Sequence, residues 1–168
     1  IPMTRLDEAR AALKKTFGYE DFRPGQDEVI GAVLDGDDVF AVMPTGSGKS
    51  MTYQLPALVD PGLTVVVSPL IALMHDQVQQ MRSVGIHAAT LNSTVGESES
   101  RETWRALRSG DLRLLFVSPE RLLMDGCMDA LRGAGVRRLA VDEAHCRLPA
   151  NSYHTSGAHI ARRPVFYH

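Results

Sequence analysis

Residues 45–50 read Thr-Gly-Ser-Gly-Lys-Ser, and much further along the chain Asp142 and Glu143 end an apolar run. Gly46 and Gly48 free the backbone between Thr45, Ser47 and Lys49 to curl, so that successive N–H groups can ring phosphate oxygens. Lys49 brings a mobile positive charge to the β and γ phosphates, and the Ser50 hydroxyl can ligate Mg²⁺. Asp142 would hold the same Mg²⁺ while Glu143 polarises an attacking water. The two segments together predict a nucleoside triphosphate site of the kind used by nucleic-acid-dependent ATPases.

The two halves differ in specificity. A strict phosphate-loop pattern wants a glycine where Met43 stands, so it fails at one position. Asp-Glu after an apolar run would be weak by itself, because acids often end strands as caps or turn formers. Each half strengthens the other.

These residues need elements to hold them. Leu6, Ala9, Leu13 and Phe17 recur at helical spacing over residues 4–17, and Gly18 offers a C-cap. Pro24 predicts the start of a second helix over residues 24–34, with Val29, Ile30 and Val33 inward and a stop near Gly36. A third helical stretch covers residues 49–59. Short apolar runs at 39–43, 64–68, 87–91, 113–118 and 138–142 alternate with helix-like segments. That alternation predicts an α/β fold, a mostly parallel sheet with helices on both faces, whose ligands gather at the carboxyl ends of the strands. The loop at 45–50, Ser68-Pro69, Ser118-Pro119-Glu120 and Asp142-Glu143 all fall at such ends.

The sequence has 168 residues, 44% hydrophobic and 23% charged, which predicts one globular domain. No apolar run approaches the roughly 20 residues that span a bilayer, and no leader-like segment opens the sequence, so a cytosolic protein without membrane contact is expected. Two cysteines, Cys127 and Cys146, make neither a disulfide framework nor a metal-binding spacing. The net charge of −2 announces no basic field, so any nucleic acid would be held by local N–H groups and a few cationic side chains. No Asp or Glu follows Glu143, whereas Arg147, Arg162 and Arg163 do, which marks a change of composition just past residue 146.

Six ordered segments carry a family resemblance: Phe17-Gly18-Tyr19 with Phe22-Arg23-Pro24-Gly25-Gln26, residues 43–50, residues 67–77, Leu91-Asn92-Ser93-Thr94, Val117-Ser118-Pro119-Glu120-Arg121, and Val141 to Cys146. Over residues 4–146 the chain resembles the first motor domain of RecQ-type DNA helicases, a RecA-like P-loop domain, in a superfamily that does not keep the glycine replaced by Met43. The resemblance implies ATP and Mg²⁺ as cofactors and an adenine pocket in which Tyr19 and Arg23 sandwich the base while Gln26 reads its edge. Without the other motifs, Tyr19 and Phe22 could equally be core aromatics and Gln26 a solvated helix residue.

The resemblance also implies DNA contacts at Ser68, Pro69, Leu70, Asn92, Ser118, Glu120 and Arg121. Unpaired N–H groups at a helix start can seat a DNA phosphate, although Ser-Pro is equally a plain N-cap followed by proline in the first turn. His145 is implied to link the ATP site to later motifs. As a metal ligand with His154 and His159 it would lack useful spacing.

The implied activity is ATP-dependent 3′–5′ unwinding of single-stranded or partly duplex DNA, at a bacterial nucleoid or in a nucleus. The alternative is a nucleotide-binding module without turnover. The resemblance stops at Cys146. Residues 147–168 read as an atypical tail of truncated, frame-shifted or foreign character, and the motifs of a second motor domain do not occur. The sheet is therefore expected to be incomplete on its C-terminal side, and self-association through an unpaired edge is expected.

Overall fold

The computed structural model describes residues 1–44 and 46–142, together with the backbone of 154–155, 158–159 and 164–167. Leu63–Val67 (β2) is buried at all five positions, as is Leu114–Val117 (β4) at all four. Such runs of branched and aromatic residues, apolar on both faces, can only sit in a sheet covered on both sides. The other strands are Val39–Ala41 (β1), Ala88–Leu91 (β3), Val136–Val141 (β5), the short pair His154–Thr155 (β6) and Ala158–His159 (β7), and Pro164–Tyr167 (β8). Six of them form one sheet in the order β1-β8-β5-β2-β4-β3, with every described pairing parallel. Strand β8, from the segment 147–168 that reads as an atypical tail, enters between β1 and β5, pairing Val39 with Val165 and Val141 with Phe166. The sheet edges are β1 and β3.

Helices Arg5–Ala12 (α1), Gln26–Asp35 (α2), Met51–Val59 (α3), Ile71–Ser83 (α4), Glu97–Ser109 (α5), Pro119–Leu122 (α6) and Cys127–Ala134 (α7) make the crossovers. Helix α1 opens with a capping box between Thr4 and Asp7 and runs on as a π-helical turn, Leu13–Phe17, closed by Gly18 at φ 75°. Pro24 does not start α2. Gly25 has φ 84°, a left-handed conformation that separates Pro24 from the helix, and α2 begins at Gln26. Gly36 closes it as expected, at φ 90°.

Alternate residues of the same strands feed two cores. Val65, Val67, Leu115, Val117, Leu139 and Val141 pack towards α5, α6 and α7. Val66, Leu114, Phe116 and Ala140 pack with Tyr53 and Ala57 of α3 and Met74, Val78 and Met81 of α4. A third cluster joins Ala9 and Leu13 to Ile30, Leu34, Met51 and Leu55. At about 1.5–3 kcal/mol for each fully buried large aliphatic chain, that cluster holds the N-terminal helices firmly against α3 and fixes the 18–26 turn beside the phosphate loop.

The amino ends of the strands are tied by a buried cation. Arg138 is 5% exposed; its Nε donates to Thr64 Oγ1 at 3.1 Å, its Nη2 to the Asp60 carbonyl at 2.8 Å, and its Nη1 pairs with the Asp60 carboxylate. The end of α3 is thereby locked to the start of β5. Among the described residues, no helix is long and apolar enough to cross a membrane.

Candidate functional site

The strand ends converge as the parallel sheet requires. The loop after β1 turns with Gly46 at φ 80° and Gly48 at φ 78°, conformations that a side chain rarely adopts. Ser47 N donates to the Pro44 carbonyl at 3.1 Å, and Met51 N to the Gly48 carbonyl at 3.1 Å, so the loop winds directly into α3. Across the sheet, Asp142 N donates to the Val67 carbonyl at 2.8 Å, pinning the end of β5 to the end of β2. Lys49 Nζ then lies 3.1 Å from Asp142 Oδ1. Two residues predicted from separate motifs are thus brought into direct contact. Thr45, Glu143 and His145 lie outside the described residues, as do the side chains of His154 and His159.

The 18–26 turn closes over this loop. Arg23 Nη1 donates to the Gly46 carbonyl at 2.8 Å and Gln26 Nε2 to the Gly48 carbonyl at 2.9 Å, while Gln26 Oε1 accepts from Arg23 N at 2.8 Å. Gln26 is 4% exposed, and a Cβ on Gly48 would stand only 2.4 Å from its Nε2. The first predicted segment therefore latches the second. A cavity of about 120 Å³ opens between them, lined by Tyr19, Arg23, Gln26, Gly48, Ser50 and Gln54 among others. Tyr19 is half exposed there, so it is not a core aromatic.

The donor set suits a phosphate with Mg²⁺. Among the described residues the buried Ser47 hydroxyl has no hydrogen-bond partner, and an incoming phosphate oxygen would supply one. Asp142 and Ser50 offer one carboxylate and one hydroxyl. That is the pattern for Mg²⁺, which keeps water and substrate phosphates as most of its ligands.

The DEAD/DEAH box helicase family model matches residues 23–164. The chain belongs to that helicase family. It is 48% identical to the ATP-dependent DNA helicase RecQ of Haemophilus influenzae over 82% of this chain, and 45% identical to that of Bacillus subtilis over 84%. It spans 22% and 24% of those relatives' lengths, about a quarter. A hypothetical ATP-dependent RNA helicase from Sulfolobus tokodaii superposes with a TM-score of 0.70 over 96% of this chain and 50% of that one, at 19% identity. The DUF1998 helicase MrfA reaches 0.72 over 99% and 29%, at 16% identity. Those structures share the RecA-like helicase fold expected from the sequence.

On this helicase domain the positions expected to meet DNA line the same carboxyl edge, but several are already engaged. Ser68 Oγ accepts from Leu70 N at 3.2 Å, and α4 starts only at Ile71. Ser118 Oγ caps α6 by accepting from Arg121 N at 3.3 Å, with Pro119 in the first turn. Asn92 is 4% exposed; its Oδ1 accepts from Thr94 N at 2.8 Å and Thr94 Oγ1 at 2.6 Å, and its Nδ2 donates to Thr90 Oγ1 at 3.1 Å. These three side chains shape the loops, leaving Leu70, Glu120 and Arg121 with more open surfaces. Gln54, which also lines the cavity, was missed by motif reading. Its signal was a lone amide in the otherwise apolar Tyr53–Val59 stretch.

Proposed function

We propose that this chain is the ATP-binding motor domain of a RecQ-like DNA helicase, taking ATP with Mg²⁺ in the cleft between the 45–50 loop and Asp142 and touching single-stranded or partly duplex DNA along the neighbouring strand ends. The observation that carries this reading is the Lys49–Asp142 pair at 3.1 Å beside a loop latched by Gln26. Tyr19 and Arg23 flank the base, and the loop N–H groups with the Ser47 hydroxyl receive phosphate oxygens. Lys49 exchanges the Asp142 carboxylate for the β and γ phosphates, which frees Asp142 and Ser50 to hold the metal. Bound Mg²⁺ supplies charge neutralisation at the phosphates. Glu143 is the group proposed to orient the attacking water, and His145 the link towards DNA.

In RecQ-type helicases a second motor domain completes this site with an arginine finger, worth roughly 10³ to 10⁵ in rate where such fingers act. None of its motifs occurs in this sequence. The chain by itself is therefore expected to bind ATP with little hydrolysis and no unwinding, and the 3′–5′ direction belongs to the assembled motor. ATP hydrolysis by the purified chain, with and without single-stranded DNA and with Lys49→Ala as control, tests this. DNA-stimulated turnover that Lys49→Ala abolishes would mean the single domain already carries the motor chemistry. ATP binding without turnover supports the proposal, and ATP binding that Lys49→Ala leaves unchanged would sink it.

A further inference from the structure

Helix α4 turns a stripe of Met74, Val78 and Met81 into the core. Gln77 falls beside that stripe, three residues after Met74, and is partly buried. An amide at such a position needs a polar partner. Tyr53 supplies one, its Oη donating to Gln77 Oε1 at 3.0 Å. The tyrosine is itself firmly held: it is 3% exposed, its ring stands edge-on to Phe116 at 6.2 Å, and Tyr53 N donates to the Ser50 carbonyl at 3.2 Å. The Gln77 amide is thereby fixed from the helix that follows the phosphate loop.

Tyr53 and Gln77 share a cavity of about 10 Å³ with Ser68 and Asp142, together with Met74 and Phe116. A space of that size holds about one water, which needs two or more polar partners to stay. An amide, a hydroxyl and a carboxylate surround this one. Carboxylates that hold a metal are oriented by the hydrogen bonds made to them from behind. We infer that Gln77 is a positioning residue for Asp142: one water in this cavity accepts a hydrogen bond from the Gln77 amide and donates one to the Asp142 carboxylate, which orients that carboxylate for Mg²⁺ once Lys49 has turned to phosphate. This inference rests on the ATP and Mg²⁺ reading above. Tyr53 engages the amide oxygen, so the amide nitrogen is the end left for the water.

Calorimetry on the full chain tests it by comparing ATP affinity in Mg²⁺ with that in EDTA. Gln77→Met, close in shape, removes the amide, and Tyr53→Phe removes only the hydroxyl that orients it. Gln77→Met should cut the Mg²⁺ enhancement of ATP affinity about tenfold, the low end for loss of a group behind a metal ligand, and leave the affinity in EDTA unchanged. Tyr53→Phe should lose a smaller part of the same enhancement. In an Asp142→Asn background Gln77→Met should have no further effect, because the group it orients has gone. The inference is overturned if the enhancement survives in both variants, if Gln77→Met weakens ATP equally in Mg²⁺ and in EDTA, as damaged packing would, or if its effect persists in full beside Asp142→Asn. An unsubstituted chain that binds ATP no better in Mg²⁺ than in EDTA, or not at all, fails the reading of the site itself, and the inference falls with it.

Discussion

Lys49 Nζ and Asp142 Oδ1 stand 3.1 Å apart across the carboxyl end of the sheet, while at the amino end Arg138 holds Asp60. Helix α3 lies between Lys49 and Asp60, and strand β5 between Arg138 and Asp142, so two ion pairs clamp the same helix to the same strand at both ends. The lower pair is buried and fixed by further hydrogen bonds. The upper pair is the one that ligand can take apart, because each partner has an alternative in the triphosphate and its metal. On the proposed ATP reading, the lower clamp would keep the two halves of the site in register while the upper one exchanges partners.

Removal of either member of the upper pair should separate phosphate from metal recognition. Lys49→Ala is expected to weaken ATP binding by about 10- to 100-fold, the scale of a lost charge-assisted hydrogen bond. Asp142→Asn should retain ATP binding and lose most of its dependence on Mg²⁺. Calorimetry with and without EDTA reads both, and an Asp142→Asn protein with full Mg²⁺ dependence would count against its metal role.

Gly48→Ala probes the latch. A methyl there meets Gln26 Nε2 at 2.4 Å in a backbone at φ 78°, so either the loop unwinds or Gln26 lets go. A cost of about 1–2 kcal/mol in stability is expected, with a larger proportional loss of nucleotide affinity. Thermal melts with and without ATP distinguish this from general unfolding, since the ATP-induced shift should shrink more than the unliganded melting temperature.

The lower clamp gives a pH signature. Burial alone would push the Asp60 carboxyl up, but the Arg138 charge and the hydrogen bonds from Arg138 and Arg137 outweigh it and hold the group below its ordinary value of 3.8. A carboxyl depressed by folding contributes stability above its unfolded pKa and loses it as pH falls through the folded value. Asp60→Asn, which leaves Arg138 buried without its counter-charge, should cost about 3 kcal/mol at neutral pH. In urea denaturation curves the gap from the unsubstituted chain should start to shrink as pH drops below the ordinary carboxyl value of about 4 and close only once pH has fallen through the lower folded value. A gap that persists there would assign Asp60 a role other than its charge.

The physical basis of these predictions was unevenly legible in the sequence. Val65 and Val67 of one strand face a different helix layer from Val66, yet all three are apolar, and such two-sided runs announce a covered parallel sheet directly. The pairing of Lys49 with Asp142 was implied by chemistry, because both serve one ligand. The Arg138–Asp60 lock was not legible, since a cation inside a strand looks like a solvent-facing residue until the helix that reaches it is placed. Pro24 misled for a local reason: proline favours a helix start, but the left-handed Gly25 after it moves the start to Gln26. The Ser118 cap was legible, since Ser-Pro offers an N-cap as readily as a phosphate seat, whereas the bonds of Asn92 to Thr90 and Thr94 depend on how the turn after β3 folds.

Asn92 makes that last distinction measurable. Its amide satisfies Thr94 and Thr90 within a buried turn, so Asn92→Ala should destabilise the fold by about 2 kcal/mol through the groups left unpaired. Loss of DNA affinity without loss of stability would instead return Asn92 to the interface.

Arg121 offers the clearest report on DNA. Its guanidinium lies 5.4 Å from the ring centre of Trp104, which is the sole tryptophan in the sequence. The stacking is worth about 0.5–1 kcal/mol at a partly exposed site, little enough for a DNA phosphate to compete for the cation. Single-stranded DNA should therefore change Trp104 emission as Arg121 turns to the phosphate, and added salt should reverse the change as it releases the DNA. Arg121→Ala is expected to shift the emission of the free protein and to abolish the DNA response. If DNA binds by an independent measure while Trp104 emission stays constant, Arg121 keeps its place on the ring and the phosphate is held elsewhere along the strand ends.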